Sequence, residues 1–217
     1  MASDPSRPET LRIVQIGEPI LRRHARELTP DEIRGDAVQR LIARMRDTMW
    51  EAPGVGLAAP QIGEPLQLAV IEDRDDYLRD ADSAWLAERE RTAVPFYVIA
   101  NPKLSVTLAD PVEFFEGCLS VDGFTALVPR ARAVRVEYLD ERGQARVIEA
   151  RGWHARILQH EIDHLRGVLY VDRMTTRTFM TTANYAHHWK DRSLQELRAA
   201  LDLASSPGPA TVPRCAG

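Results

Sequence analysis

Apolar residues recur at three- and four-residue spacing early in the chain, at Ile33, Val38, Leu41, Ile42, Met45 and Met49. That period predicts one amphipathic helix from about Asp31 to Ala52. Thr29, Pro30 and Glu32 supply its start signal: a hydroxyl cap, a proline at the first helical position and a glutamate to close the cap. PGVGLAAPQIG (53–63) then reads as a loop, and the unbroken apolar run LQLAVI (66–71) as a strand. PFYVIANPKL (95–104) and RAVRVEYLD (132–140) are further strands, with a turn over 140–143. Between them, residues 72–94 are dense in charge and predict an exposed insertion whose role the pattern leaves open. DRSLQELRAALDLA (191–204) predicts an amphipathic terminal helix that caps the domain. Helices at both ends with strands between them argue for an α+β fold, not a doubly wound one. The organisation expected is a flexible arm over 1–10, a single domain over 11–204 and a disordered Pro/Gly/Ser-rich tail over 205–217.

The segment GWHARILQHEIDHLRG (152–167) departs from this plain pattern. Its two outer glycines bracket a helix, and Gly167 suits a left-handed helix end. Ile157, His160, Glu161 and His164 fall on one face, with Trp153 a turn earlier and Leu158, Ile162 and Leu165 alongside. Arg156, Gln159, Asp163 and Arg166 gather opposite and predict the water-facing side. Buried imidazoles and carboxylates need partners. Two histidines four apart can converge on one metal ion, with metal–nitrogen distances of about 2.0–2.1 Å. Such an ion acidifies a nearby water, whose proton Glu161 can take. The competing reading is a pair of core histidines satisfied by backbone or carboxylates.

A catalytic metal site commonly has three protein ligands and an open position. His24, His154, His187 and His188 are badly spaced to serve, which leaves Cys118, 160 − 118 = 42 residues upstream of His160. A thiolate with two imidazoles suits zinc or ferrous iron. Cys118 as a small buried hydrophobe, and Glu196 as the third ligand of a zinc endopeptidase, stand as alternatives.

Lys and Arg number 28 against 32 Asp and Glu, so the net charge is −4. This small negative balance gives no reason to expect direct nucleic-acid binding or an anionic membrane partner. No apolar run is long enough to span a bilayer. The N-terminal residues have neither a signal-peptide core nor the acid-poor character of a transit peptide, so a cytoplasmic location is expected. Cys215 lies in the tail, and a reducing compartment leaves Cys118 a free thiol or a ligand.

Three motifs, GVGLAAPQ (54–61), EGCLS (116–120) and QHEIDH (159–164), taken in this order, resemble the peptide deformylases across residues 11–180. The wording CLSVDGF and GWHARILQHE, with the charged insertion, is similar to the branch known from plant and animal organelles. The resemblance implies small antiparallel sheets packed around a buried HExxH helix, with helices at both termini. It implies removal of the formyl group from the N-terminal formylmethionine of nascent peptides, with the ribosome's exit as a possible meeting place. Cys118, His160 and His164 would hold one divalent ion, ferrous iron in cells, with zinc, nickel or cobalt possible after purification. Glu161 would be the general acid/base. The side chain of Gln61 and the backbone N–H of Leu119 would stabilise the oxyanion. Gly54 and Gly56 would leave room for a substrate strand, and Phe114, Trp153 and Ile157 would wall the methionine pocket. Glycines that only make a turn, and a Trp153 that only fills the core, are the plainer readings. An arginine found near the substrate entrance in many members is here Thr125, and Arg130 with Glu116 would either support the ligands from behind or form an exposed ion pair. A deformylase-like protein that binds peptide ends without catalysis is a further alternative, opposed by the intact Glu161 and Gln61.

Overall fold

The computed structural model describes residues 10–203. Residues 1–9 of the arm expected over 1–10, the tail over 205–217 and Cys215 lie outside the described residues. In chain order the main elements are α1 (Pro30–Arg34), α2 (Asp36–Glu51), β1 (Gly56–Ala58), β2 (Leu68–Asp73), α3 (Asp75–Leu78) and α4 (Ser83–Glu88). They continue with β3 (Val94–Cys118), β4 (Val121–Leu139), β5 (Ala145–Arg151), α5 (Gly152–Leu165), β6 (Met180–Thr181), α6 (Thr182–His188) and α7 (Leu194–Ala200). The strands pair antiparallel in the order β1-β2-β3-β4-β5, with β6 on β4. They form one connected antiparallel path, and with helices before and after it this is the α+β architecture expected.

The start signal acts as read: the Thr29 hydroxyl accepts from Glu32 N, and the Glu32 carboxylate accepts from Thr29 N at 2.8 Å. The single helix expected over Asp31–Ala52 is nevertheless two. Gly35 is extended (φ −66°, ψ 146°), and its N–H bonds back to Asp31 and Glu32, ending α1 one residue before α2 begins.

The central strands explain why LQLAVI reads as unbroken. Side chains alternate across a strand. Leu68 and Val70 of β2 pack with α2, through Ile42, Met45 and Met49. Ala69 and Ile71 point the other way, onto Ile157, Leu158 and Ile162 of α5. Both faces are covered, so both are apolar. α5 is buried on nearly every side, which overturns the expected water-facing stripe. Arg156 and Asp163 are buried, Gln159 is half-buried with its amide on the backbone of Ala131, and only Arg166 is exposed. The opposite side of α5 meets the β3–β4 hairpin instead of water.

That hairpin places the thiol. Cys118 pairs with Val121, so Leu119 and Ser120 form a two-residue tip. The tip is tied down by the segment before α1: Ile16 N donates to Ser120 O at 2.7 Å, and the Gln15 amide donates to Leu119 O at 2.9 Å.

Candidate active site

The loop expected over 53–63 is partly ordered: β1 and a turn of 3₁₀ helix (Ala59–Ile62) lead to Gln61, which is buried. The side-chain oxygen of Gln61 accepts from Ala58 N at 2.8 Å. This fixes which end of the amide is which, so its NH₂ faces the hairpin tip, 3.3 Å from Ser120 Oγ and 3.6 Å from Cys118 Sγ.

Cys118, His160 and His164 each offer a ligand atom, and these atoms lie within 4.8 Å of one another. Cys118 Sγ is 3.2 Å from His164 Nε2, and the two imidazole rings are 5.0 Å apart. His160 turns its Nδ1 to Glu116 Oε2 at 3.0 Å, leaving Nε2 for the centre. His164 Nδ1 is buried with no partner among the described residues, and burial holds this ring well below the ordinary histidine value, in the neutral form that ligates. One soft thiolate and two imidazoles at this spacing fit a single divalent transition-metal ion.

Glu161 completes the group. Its Oε2 is buried and has no partner among the described residues. Burial pushes the carboxyl up to about 7, His160 opposes this, and Glu116 adds to it. Room for it comes from Gly56, where a Cβ would sit 2.2 Å from Glu161 Oε1. At Gly54 a Cβ would stand 2.9 Å from Leu119 Cδ1. Close approach of protein side chains therefore accounts for both glycines, where open space for a substrate was the expectation; both still border the cleft.

The cleft has a volume of about 370 Å³ and is bordered by Gly54, Gly56, Gln61, Cys118, Leu119, Trp153, Ile157, His160 and Glu161. Phe114 is a correction. It lines a second cavity of about 530 Å³, behind Trp153, and its neighbour Phe115 borders the cleft. Strand alternation separates the two rings. Thr125 is buried and gives its hydroxyl to Glu116 O at 2.8 Å, so it takes no place on the cleft. Two arginines, Arg91 and Arg156, also border the cleft. Neither was singled out as a site residue, because a charged insertion and a polar helical stripe both read as solvated surface.

Glu116 and Arg130 are buried, which removes the exposed ion pair. Arg130 holds Glu116 through Nε and Nη2 at 2.9 Å each, and Arg156 Nη1 adds a third bond at 2.6 Å. Arg130 also pairs with Asp163, which Arg173 holds at 2.6 and 2.7 Å. Burial works against the Glu116 charge, but bonds to His160 and Arg130 hold its carboxyl well below the usual range. Glu196 cannot be a ligand to this centre: it caps α7, accepting from Ser193 N at 2.8 Å. His154 bonds Tyr97 OH at 2.7 Å.

A thiol and two imidazoles, with a buried carboxylate and a fixed amide beside them, make up the donor set of a metal-assisted hydrolytic centre. The polypeptide deformylase family model matches residues 10–179, and the chain belongs to that family. It is 47% identical over 172 residues to peptide deformylase 1A of tomato, a chloroplastic protein, covering 79% of this chain and 62% of that one. With the human mitochondrial peptide deformylase it shares 41% over 175 residues, 81% of this chain and 72% of the other. A class I type b peptide deformylase from Acinetobacter baumannii, solved with Met-Ala-Ser bound, superposes with a TM-score of 0.68 at 31% identity, over 77% of this chain and 99% of that one. The Synechococcus elongatus enzyme in complex with actinonin gives 0.64 at 34% identity, over 92% and 88%. The chain spans somewhat under two thirds of the length of the two plant relatives. No described helix is long and apolar enough to cross a membrane.

Proposed function

We propose that this chain hydrolyses the N-formyl group from the N-terminal formylmethionine of nascent polypeptides and releases formate. The observation that carries the reading is the convergence of Cys118, His160 and His164 beside Glu161, whose buried Oε2 has no partner among the described residues. The bound Met-Ala-Ser of the Acinetobacter relative has the form of the corresponding product.

Cys118, His160 and His164 would hold one divalent ion, which when bound supplies Lewis acidity to a water and to the formyl oxygen. Glu161 takes the water's proton and returns it to the leaving amine. The Gln61 amide, fixed by Ala58, and the Leu119 N–H receive the charge that grows on the formyl oxygen. Trp153 and Ile157 accept the methionine side chain. Ferrous iron is the working ion in cells, and zinc, nickel or cobalt fit the same donors. Residues 11–204 act as one catalytic unit, in the cytoplasm and close to the ribosome's exit, where formylated chains emerge. A reducing compartment keeps the Cys118 thiol available.

The test is anaerobic purification, metal analysis and formate release from formyl-Met-Ala-Ser, on wild type and Cys118→Ser. A hydroxyl is a poor substitute for a thiolate toward these ions. The variant should retain less than about a tenth of the wild-type metal and activity. Full metal and full turnover in Cys118→Ser would remove the thiol from the centre. Gly56→Ala should lower kcat by about a hundredfold, since its methyl overlaps the Glu161 carboxyl and a displacement near 1 Å has that effect. Steady-state kinetics beside a circular dichroism spectrum decides it, and an unchanged kcat counts against the clash.

A further inference from the structure

Three pieces of the centre come from distant parts of the chain, and residues 14–25 touch all of them. Val14 N donates to Gln61 O at 2.8 Å, Ile16 N to Ser120 O at 2.7 Å, and Ala25 N to Leu165 O, next to His164, at 2.9 Å. Between the first two sits Gln15. Its amide nitrogen donates to Leu119 O at 2.9 Å, and its oxygen accepts from Asp122 N at 3.2 Å. Both ends of that amide are thereby fixed, because a carbonyl only accepts and a backbone N–H only donates.

The hairpin tip is poorly made to hold itself. A two-residue hairpin loop matches the twist of its strands when it uses positive φ, at glycine, asparagine or aspartate. Leu119 and Ser120 have neither that chemistry nor that conformation: glycines aside, positive φ among the described residues is confined to Glu90, Asn101 and Asp202. The ladder also breaks beside the tip. Gly117 pairs with Thr125 and Cys118 with Val121, so Asp122, Gly123 and Phe124 face no partner in β3. Backbone donors at such an irregularity drop out of the ladder, and Asp122 N turns to Gln15 instead. The register of the tip therefore depends on a partner from outside the hairpin. Gln15 is exposed, so what it brings is its amide and not apolar burial.

We infer that Gln15 is a positioning residue for the two oxyanion donors. Its amide stands in for a neighbouring strand and clips the tip, so that the Leu119 N–H keeps its aim, while Val14 ties the Gln61 turn to the same segment. The inference rests on the deformylase reading, in which Gln61 and Leu119 receive the growing charge. Such donors serve a transition state only when they are already in place, and a shift near 1 Å weakens them. The direct bond between the two loops, from the Gln61 amide to Ser120 Oγ, is long at 3.3 Å. The bonds that run through residues 14–16 are shorter, and they make the firmer link.

The experiment measures amide hydrogen exchange over residues 117–124, and formate release from formyl-Met-Ala-Ser, on the metal-loaded full chain in wild type, Gln15→Met and Gln15→Glu. Methionine keeps the length of the stem and removes both bonds. It should speed exchange at the tip by about tenfold and leave the rest of the chain unchanged. It should lower kcat by about tenfold with KM within about twofold, the size of one or two neutral hydrogen bonds. Metal content should hold, and Tm should move by less than about 4 °C, because the side chain is on the surface. Glutamate keeps an acceptor for Asp122 N but offers Leu119 O no donor. It should lose kcat as methionine does while the Asp122 amide stays protected, and it serves in place of Gln15→Met should that variant fail to fold. Tip exchange and kcat both within about twofold of wild type in Gln15→Met would overturn the proposal. So would a fall in kcat matched by an equal loss of metal or by faster exchange throughout the chain, since either makes Gln15 a support of the fold alone. Exchange is read without turnover, so the two claims separate. A metal-loaded wild type that releases no formate sinks the deformylase reading, whereas formate release beside an unaltered tip in the variant sinks this one alone.

Discussion

Glu161→Gln is expected to lower the rate of formate release by about 10²- to 10⁴-fold, with metal content and fold preserved. Glutamine matches the shape of glutamate, and the site makes no specific demand on the lost charge for folding: Oε2 has no partner among the described residues. What the substitution removes is proton transfer. Burial raises the Glu161 carboxyl to about 7, against the His160 charge and with the Glu116 charge. A group near that value can both take a proton and give it back at neutral pH. The loss should fall on kcat with KM little changed, because the carboxylate acts on the reacting water and amine, not on the peptide's side chain. Turnover within about threefold of wild type, in protein with full metal, would take Glu161 out of the proton path.

What the sequence made legible, and what it hid, follows from how local each signal is. The Thr29 cap and the α5 helix between Gly152 and Gly167 are set by neighbours in sequence and lie where the pattern puts them, and the strand expected over 66–71 forms two residues later, over Leu68–Asp73. The His160–Glu161–His164 face was legible because a helix fixes its geometry over four residues. Cys118 was legible only by elimination and motif, since nothing local says that a hairpin tip will meet α5. The misread residues are the polar ones whose partners lie far away in sequence. Arg156 and Asp163 resemble a solvated stripe until Glu116 and Arg130 arrive from the hairpin. Arg91 looks like surface until Asp73 anchors it. Gln15 carries no periodic signal at all, though it bonds both Leu119 and Asp122. A charge pattern gives the composition of a face but not what packs on it.

Glu116→Gln tests that hidden network, and its expected effect is on stability as well as on metal. Glu116 is buried and takes three hydrogen bonds from two arginines whose side chains are 3% and 4% exposed. With the carboxylate present, Glu116 and Asp163 balance Arg130 and Arg156. With the amide, two buried cations share the single charge of Asp163, which Arg173 also engages. Breaking a buried pair from one side costs about 3–5 kcal/mol. For a domain of this size that corresponds to a fall in Tm of about 6–20 °C. The same change weakens the acceptor facing His160 Nδ1, which orients the ring and raises its basicity toward a metal. Metal affinity should therefore fall by about 10- to 100-fold. Calorimetric melting of the apo protein isolates the ionic part, and metal titration of the folded variant isolates the histidine part. A melting point within about 2 °C of wild type would show that the arginines find other compensation when the charge is gone. Undiminished metal affinity beside a lowered Tm would mean that Glu116 serves the fold alone and leaves His160 to be positioned by the helix.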